Sequence, residues 1–423
     1  MVDTFTADDD YRGRLYPGII IAASVVIAVI TYGIVFSFGV FVTPLREYFG
    51  TTSAVISGVY ALSMLAFSGS GIVAGWSVDK YGPRITTLIG GLLFGLSLLL
   101  TSQVRTIGQL YMTYSMVGIA ISTAHAPLMT TVSRWFTRRR GLALGILTAG
   151  IGGGPLIIAP LSAYLIHTVG WRFAYLVLAG GAGIILLMAL LLKKSPENTD
   201  ETRDVAGDNG RASLSGKKTG EFNSGLSDHY SPREAIGTRS FWQIGIIFLV
   251  IGMSAQMVKM HVVPYSESQG MSPLLAATVL SVLSGASVVG RITMGMASDA
   301  IGRRQALAIC VFTEGAMMLW LIGASNVWMF FLFGIIYGYS YGGHGPQLPA
   351  LAGETLGLKH MGTILGSLNF FWGLGAAVGP VLAGYLLDAT GSYSSAFILG
   401  AMGMLLATAV SLLPKKPVGK QAV

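Results

Sequence analysis

Twelve runs of about 20 apolar residues fill this chain, and that is the length an α-helix needs to cross the hydrocarbon of a bilayer. Six lie near 17–43, 52–78, 85–102, 107–133, 141–166 and 172–192, and six near 241–264, 273–298, 305–324, 327–352, 362–387 and 394–413. Only helices or closed barrels satisfy backbone hydrogen bonds in lipid. Runs this long predict an all-α polytopic membrane protein of twelve transmembrane helices. Composition agrees: only 11% of the 423 residues are charged, too few to cover soluble domains of that total size. The 57 glycines, about double the usual share, suit closely packed membrane helices.

The runs divide the chain into a polar tail at 1–16, a six-helix half at 17–192, a linker at 193–240, a second half at 241–413 and a tail at 414–423. The linker mixes Gly, Ser, Asn and Asp with eight basic and eight acidic residues between Lys193 and Arg239. It shows no apolar periodicity, apart from a short amphipathic stretch near Ser231–Ile236. The acidic start, MVDTFTADDD, is unlike a signal peptide.

The basic residues set the orientation. Tails, linker and even-to-odd turns hold 22 of the 27 Lys and Arg, against three (Arg46, Arg105, Arg172) on the opposite side. The positive-inside rule makes both termini cytoplasmic, in a plasma (inner) membrane. The net charge of +8 is therefore mostly a topology signal, and no nucleic-acid partner is expected. Cys310 is the only cysteine, so neither a disulfide nor a cysteine metal cluster is expected. No nucleotide loop, nucleophile elbow or cofactor motif points to an enzyme.

The chain repeats itself at an offset of about 220 residues. Gly75, Asp79, Gly82 and Arg84 form a Gly-x3-Asp-x2-Gly-x-Arg turn after the second run, and Gly295, Asp299, Gly302 and Arg304 form the same turn after the eighth. Gly141 and Gly145 match Gly362 and Gly366, and Pro160 and Ala163 match Pro380 and Ala383. Parallel repeats of this kind place a substrate path between two halves, near the midplane. The doubled turn resembles the signature of the major facilitator superfamily. That resemblance implies a cytoplasmic gating network of Asp79, Arg84, Asp299 and Arg304, with Arg134 and Glu354 as partners.

The segment Arg134–Gly150 looks like a motif of the monocarboxylate transporter family, with Leu147 where the family has Ala. Further likeness lies in Phe38–Phe41, Gly170–Arg172 and His261–Tyr265, and the chain looks nearer the microbial members, which include oxalate/formate exchangers. This implies a secondary active transporter of small monocarboxylates such as lactate or pyruvate, working by proton-coupled symport and alternating access. The alternative is an organic anion exchanger of the oxalate/formate type. A third is a proton-coupled drug exporter, because Gly150, Gly154 and Pro155 match half of such a motif; Ile158 and Ala159 break the rest. The partners are a small organic carboxylate, a proton and the lipid bilayer, and the chain is expected to act as a monomer.

Ionisable residues inside spans are costly and mark function. Arg291 lies eight residues before Asp299, about 12 Å into the membrane at 1.5 Å per residue. No acid shares its helix face. Its planar fork suits a carboxylate, and the resemblance puts the family's eighth-helix arginine at this position. Lys259 and His261, read near the outer end of the seventh span, point different ways. Lys259 either attracts anions at the entrance or snorkels to the interface, and His261 is a candidate for the coupled proton. Glu314, in a span assigned to the outer ring, is another. Animal family members carry an aspartate and a lysine where this chain has Ser287 and Phe36. Tyr32, His125, Tyr341, Asn369 and Phe371 are candidate substrate contacts, with Trp372 helping to close the cavity.

Overall fold

The structure is a computed structural model that describes residues 7–136, 140–193, 232–356 and 361–413. Most of the linker and the tail at 414–423 lie outside the described residues, as do the side chains of Asp79 and Asp299.

The N-terminal half runs through α1 (Ala7–Phe36), a 3-10 turn (Phe38–Phe41), α2 (Val42–Phe49), α3 (Ser53–Ser102), α4 (Ile107–Trp135), α5 (Arg140–Val169) and α6 (Trp171–Leu191). A five-residue helix, α7 (Pro232–Ile236), ends the linker. The C-terminal half runs through α8 (Arg239–Ser268), α9 (Pro273–Ile301), α10 (Arg303–Ile322), α11 (Val327–Leu356), α12 (Met361–Thr390) and α13 (Ser394–Leu412). The first helix starts within the polar stretch 1–16 rather than after it.

Helix α3 is two rods broken at Gly82, whose φ of 84° is left-handed. Gly302, its repeat partner, has φ 91° and separates α9 from α10. Nothing crowds Gly82 within 4 Å, so it is the backbone angle that calls for glycine there. The doubled motif thus makes the same hairpin twice. Thr52, Thr106, Thr238 and Ser272 cap the helices that follow them with their hydroxyls.

Counting α3 as two rods, the described residues contain ten segments long and apolar enough to span a membrane. The long helices α4 and α11 fall outside that set, because Gly, Tyr, Ser and His replace aliphatic residues along them. Several of those residues, among them Tyr114, Gly118, Tyr337 and His344, are buried in the interior.

Glycines set the packing in each half. In the N-terminal half, Gly154 of α5 seats against Gly33 of α1, and Gly118 of α4 against the Ser63 carbonyl of α3. In the C-terminal half, Gly375 and Gly379 of α12 seat against the Leu249 and Met253 carbonyls of α8. Likewise Gly338 and Gly342 of α11 seat against the Leu283 and Ser287 carbonyls of α9. The same pairs of rods touch in both halves, so the sequence repeat is a structural repeat. The halves meet along α5 against α9 and α3 against α12.

Candidate functional site

A cavity of about 960 Å³ lies between the halves, a size suited to a small ligand. It runs from Tyr32, Phe36 and Tyr341 in mid-bundle to Ile236 and Trp242 at the end of the linker. Ile236 and Trp242 are exposed, so the cavity opens on the linker side.

Its charge comes from the C-terminal half. Arg291 of α9 lies on the wall, half-buried. A methyl group at Gly152 of α5 would come within 3.2 Å of both Nε and Nη2 of the guanidinium, so that glycine makes room for it. On the other side, Gly345 of α11 stands 4.0 Å from Nη1 by the same measure. The Arg291 Nε is buried without a hydrogen-bond partner. Leaving a cationic donor unsatisfied is expensive unless something else occupies it part of the time.

Lys259 of α8 is the more deeply buried cation, at 4% exposure. Its Nζ donates to the Tyr341 hydroxyl at 2.5 Å and sits 4.0 Å from the ring centroids of Phe36 and Tyr341. This corrects the placing of Lys259 near the outer end of its span. It neither snorkels nor stands at an entrance, but packs against Phe36 and Tyr341 of the cavity wall. The reason is the length of α8, which continues to Ser268 and carries the true outer end further on.

The wall from the N-terminal half is neutral. The Tyr32 hydroxyl and His125 Nδ1 lie 2.5 Å apart. The two residues read separately as substrate contacts are therefore one hydrogen-bonded pair, with Phe67 packed edge-on to the imidazole. Asn369, Phe371 and Trp372 of α12 line the linker-side part. Phe371 packs edge-on against Trp242 and Phe241, forming an aromatic rim.

The opposite side is closed by bonds that cross between the halves. The Asp388 carboxylate at the end of α12 accepts from the Ser53 and Ala54 amides at 3.0 and 2.8 Å, capping the first turn of α3. Thr43 Oγ1 donates to Glu267 Oε2 at 2.6 Å, and the Tyr60 hydroxyl to Gln256 Oε1 at 3.0 Å. His261 belongs here, not to the cavity: its Nε2 lies 3.2 Å from Ser57 Oγ and 2.9 Å from the Pro380 carbonyl. It points away from Lys259, as a two-residue step on a helix requires.

Glu314 of α10 is fully buried and turned inward, with Oε1 2.7 Å from His344 Nδ1 of α11. The outer-ring helix therefore reaches the cavity wall through a histidine that sequence reading missed. At the linker side, Glu354 pairs with Arg303 at 2.8 Å, while Arg304 Nη1 donates to the Leu413 carbonyl at 3.1 Å. Arg84 and Arg134 are exposed there. Gly152, His344, Arg303, Glu267 and Asp388 were not singled out from the sequence. Only Gly152 carried a visible signal, since it stands inside the Gly150–Gly154 cluster.

A family model described as the Major Facilitator Superfamily matches residues 24–296 and 244–423. The chain is 25% identical over 408 residues to "Monocarboxylate transporter 12" of Xenopus laevis, covering 92% of this chain and 86% of that one. It is 27% identical over 414 residues to the Homo sapiens protein of that name, covering 92% and 78%. It is also 27% identical over 413 residues to the "Oxalate:formate antiporter" of Oxalobacter formigenes, covering 91% and 92%. Among solved structures, the fold matches a bacterial homolog of the human lysosomal transporter Spinster in its inward-facing, occupied conformation. The TM-score is 0.69 at 14% identity, covering 94% of this chain and 95% of that one.

Proposed function

We propose that this chain, which belongs to the Major Facilitator Superfamily, carries a small monocarboxylate across a membrane together with a proton, by alternating access. It is an integral membrane protein and a transporter rather than an enzyme. The observation that carries the substrate reading is Arg291: a guanidinium on the cavity wall, with a glycine on each flank and a buried Nε left without a partner. A carboxylate matches the planar guanidinium with paired charge-assisted bonds. The relatives named for monocarboxylates support the same chemistry.

The mechanism follows from the halves. With the linker and both termini cytoplasmic, as the basic residues favour, the cavity faces inward and the bonds at Asp388, Glu267, Gln256 and His261 hold the outer side shut. Rocking the halves breaks that set and buries the linker-side rim around Phe371 and Trp242. The network around Arg303 and Glu354 then lies where the inner side closes. Tyr32 with His125, Tyr341, Asn369 and the aromatic rim supply the remaining polar and apolar contacts.

Purified protein in liposomes tests this with labelled lactate, pyruvate, formate and oxalate. Arg291→Lys keeps the charge and loses the fork, so KM for the transported acid should rise about 10-fold or more. Unimpaired uptake by that variant would refute the role given to Arg291. A second reading, exchange of a dicarboxylate, is favoured by Lys259, a second buried cation bonded to Tyr341, and by the oxalate:formate relative. Uptake driven by preloaded anion and indifferent to a pH gradient would select it.

A further inference from the structure

The wall of the cavity holds a titratable assembly that anion binding at Arg291 does not use. His344 lines the cavity at 4% exposure, with its Nδ1 2.7 Å from Glu314 Oε1. Glu314 is fully buried, and its Oε2 has no hydrogen-bond partner. A carboxyl group held by one hydrogen bond in an apolar bundle is a costly arrangement. It is relieved when a proton joins the pair, because the ion pair or neutral acid that results carries no net charge. His344 gives that proton a route, since it is the member of the pair that borders the cavity.

We propose that His344 and Glu314 together bind the proton that accompanies the anion; this rests on the carboxylate-transport reading above. The charge count supports it. The groups facing the pair are Lys259 on α8, Cys310 on α10, and Tyr337 and Tyr341 on α11, with Arg291 of α9 beyond Tyr341. From α13, Ala401 and Met404 face α10 and carry no charge. Two cations and one carboxylate leave the empty site with one net positive charge. Adding an anion alone makes it neutral, and adding a proton alone makes it doubly positive. Adding both restores one positive charge. The empty and fully loaded carriers, the two states that must reorient in symport, therefore present the same charge to the membrane.

Linkage follows from the same layout. A proton on the pair raises the positive potential at Arg291 and tightens anion binding, and a bound anion raises the proton affinity of the pair by the same factor. His125, which also lines the cavity, is held by the Tyr32 hydroxyl on the opposite half, and among the described residues no carboxylate bonds to it.

The test compares two assays in the same proteoliposomes, using whichever of labelled lactate, pyruvate or formate the wild type exchanges. Counterflow needs no net proton movement, whereas accumulation against a gradient under an imposed pH difference does. Glu314→Gln and His344→Gln should keep counterflow and lose gradient-driven accumulation by about 5- to 150-fold, the usual span of a coupling between two sites. His125→Gln, which removes the partner of Tyr32, should not separate the two assays: any loss appears in counterflow and accumulation alike. Accumulation preserved in Glu314→Gln and His344→Gln overturns the proposal, as does uncoupling by His125→Gln alone. Should the glutamine variants fail in counterflow too, Glu314→Asp keeps the charge while withdrawing it from His344. It should move the midpoint pH of accumulation, and an unmoved midpoint overturns the proposal. A wild type that exchanges none of the three acids sinks the transport reading itself. One that exchanges them without responding to a pH gradient sinks only the proton site.

Discussion

Replacing Asp388 by alanine removes a bond that holds one half against the other. Its carboxylate accepts from two amides of the α3 first turn, at 3.0 and 2.8 Å, across the closed end of the cavity. Buried hydrogen bonds to a charged group are worth roughly 1.5–3 kcal/mol each. Asp388 is exposed, so water screens most of that. An exposed ionic contact contributes about 0.2–1 kcal/mol, and a carboxylate at a helix N-terminus adds about 0.3–1 kcal/mol. The latch is then worth about 0.5–2 kcal/mol, which multiplies the outward-open population about 2- to 30-fold. The contacts at Thr43 and Tyr60 remain, so the inward-facing state stays dominant.

The chain provides its own assay. Its one cysteine, Cys310, is buried, so a reporter thiol stands out against a quiet background. Ser57→Cys puts that thiol where the halves meet, behind Asp388. Alkylation by a membrane-impermeant maleimide from the outer side then proceeds in proportion to the outward-open population. Adding Asp388→Ala should raise the rate by the factor above, and Asp388→Asn, which keeps an acceptor but loses the charge, should raise it less. A change of less than about twofold on adding Asp388→Ala would show that the cap does not bias the equilibrium.

Other variants test the remaining geometry. Gly152→Ala brings a methyl group to 3.2 Å from the Arg291 guanidinium and 3.0 Å from Ser287 Oγ, so KM for the carried acid should rise while the melting temperature in detergent holds. Tyr341→Phe strips Lys259 of its hydroxyl acceptor; leaving that buried donor unsatisfied costs about 1–3 kcal/mol, visible as a lower melting temperature together with weaker anion uptake. Gly82→Ala and Gly302→Ala force a side chain into left-handed backbone at φ 84° and 91°. Each should cost about 1–2 kcal/mol of stability, with KM unchanged.

The parts of the fold legible in the sequence are those that repeat or that obey a single helix. Span length follows from bilayer thickness, and the twin turns at Gly82 and Gly302 follow from a spacing seen twice. Arg291 could be picked out because an arginine with no acid one turn away on its own helix has to find something else. What escaped were pairings between helices. Glu314 and His344 are 30 residues apart on different rods, and nothing in either helix marks the other as partner. Asp388 looks like an ordinary charge at a helix end until α3 is placed beneath it. Lys259 was misplaced because apolar runs give span boundaries only softly, and a few residues of helix decide whether a lysine reaches water.

The distribution of charge between the halves bears on how such a protein can move at all. Among the described residues, Arg291, Lys259, Glu314 and His344 all belong to the C-terminal half, and the carboxylate–imidazole pair inside the bundle joins α10 to α11 within that half. The inner contacts that cross the seam are neutral, as at Tyr60 with Gln256, or they set a cation against glycine or an aromatic ring, as at Gly152 and Phe36. The carboxylates Asp388 and Glu267 cross at the outer edge, where water is at hand when either lets go. Separating a buried ion pair would cost several kcal/mol per ion, a barrier that the seam contacts among the described residues do not raise. On the function proposed above, an anion held by Arg291 would travel with the half that holds it, while the other half moves past as a largely neutral wall.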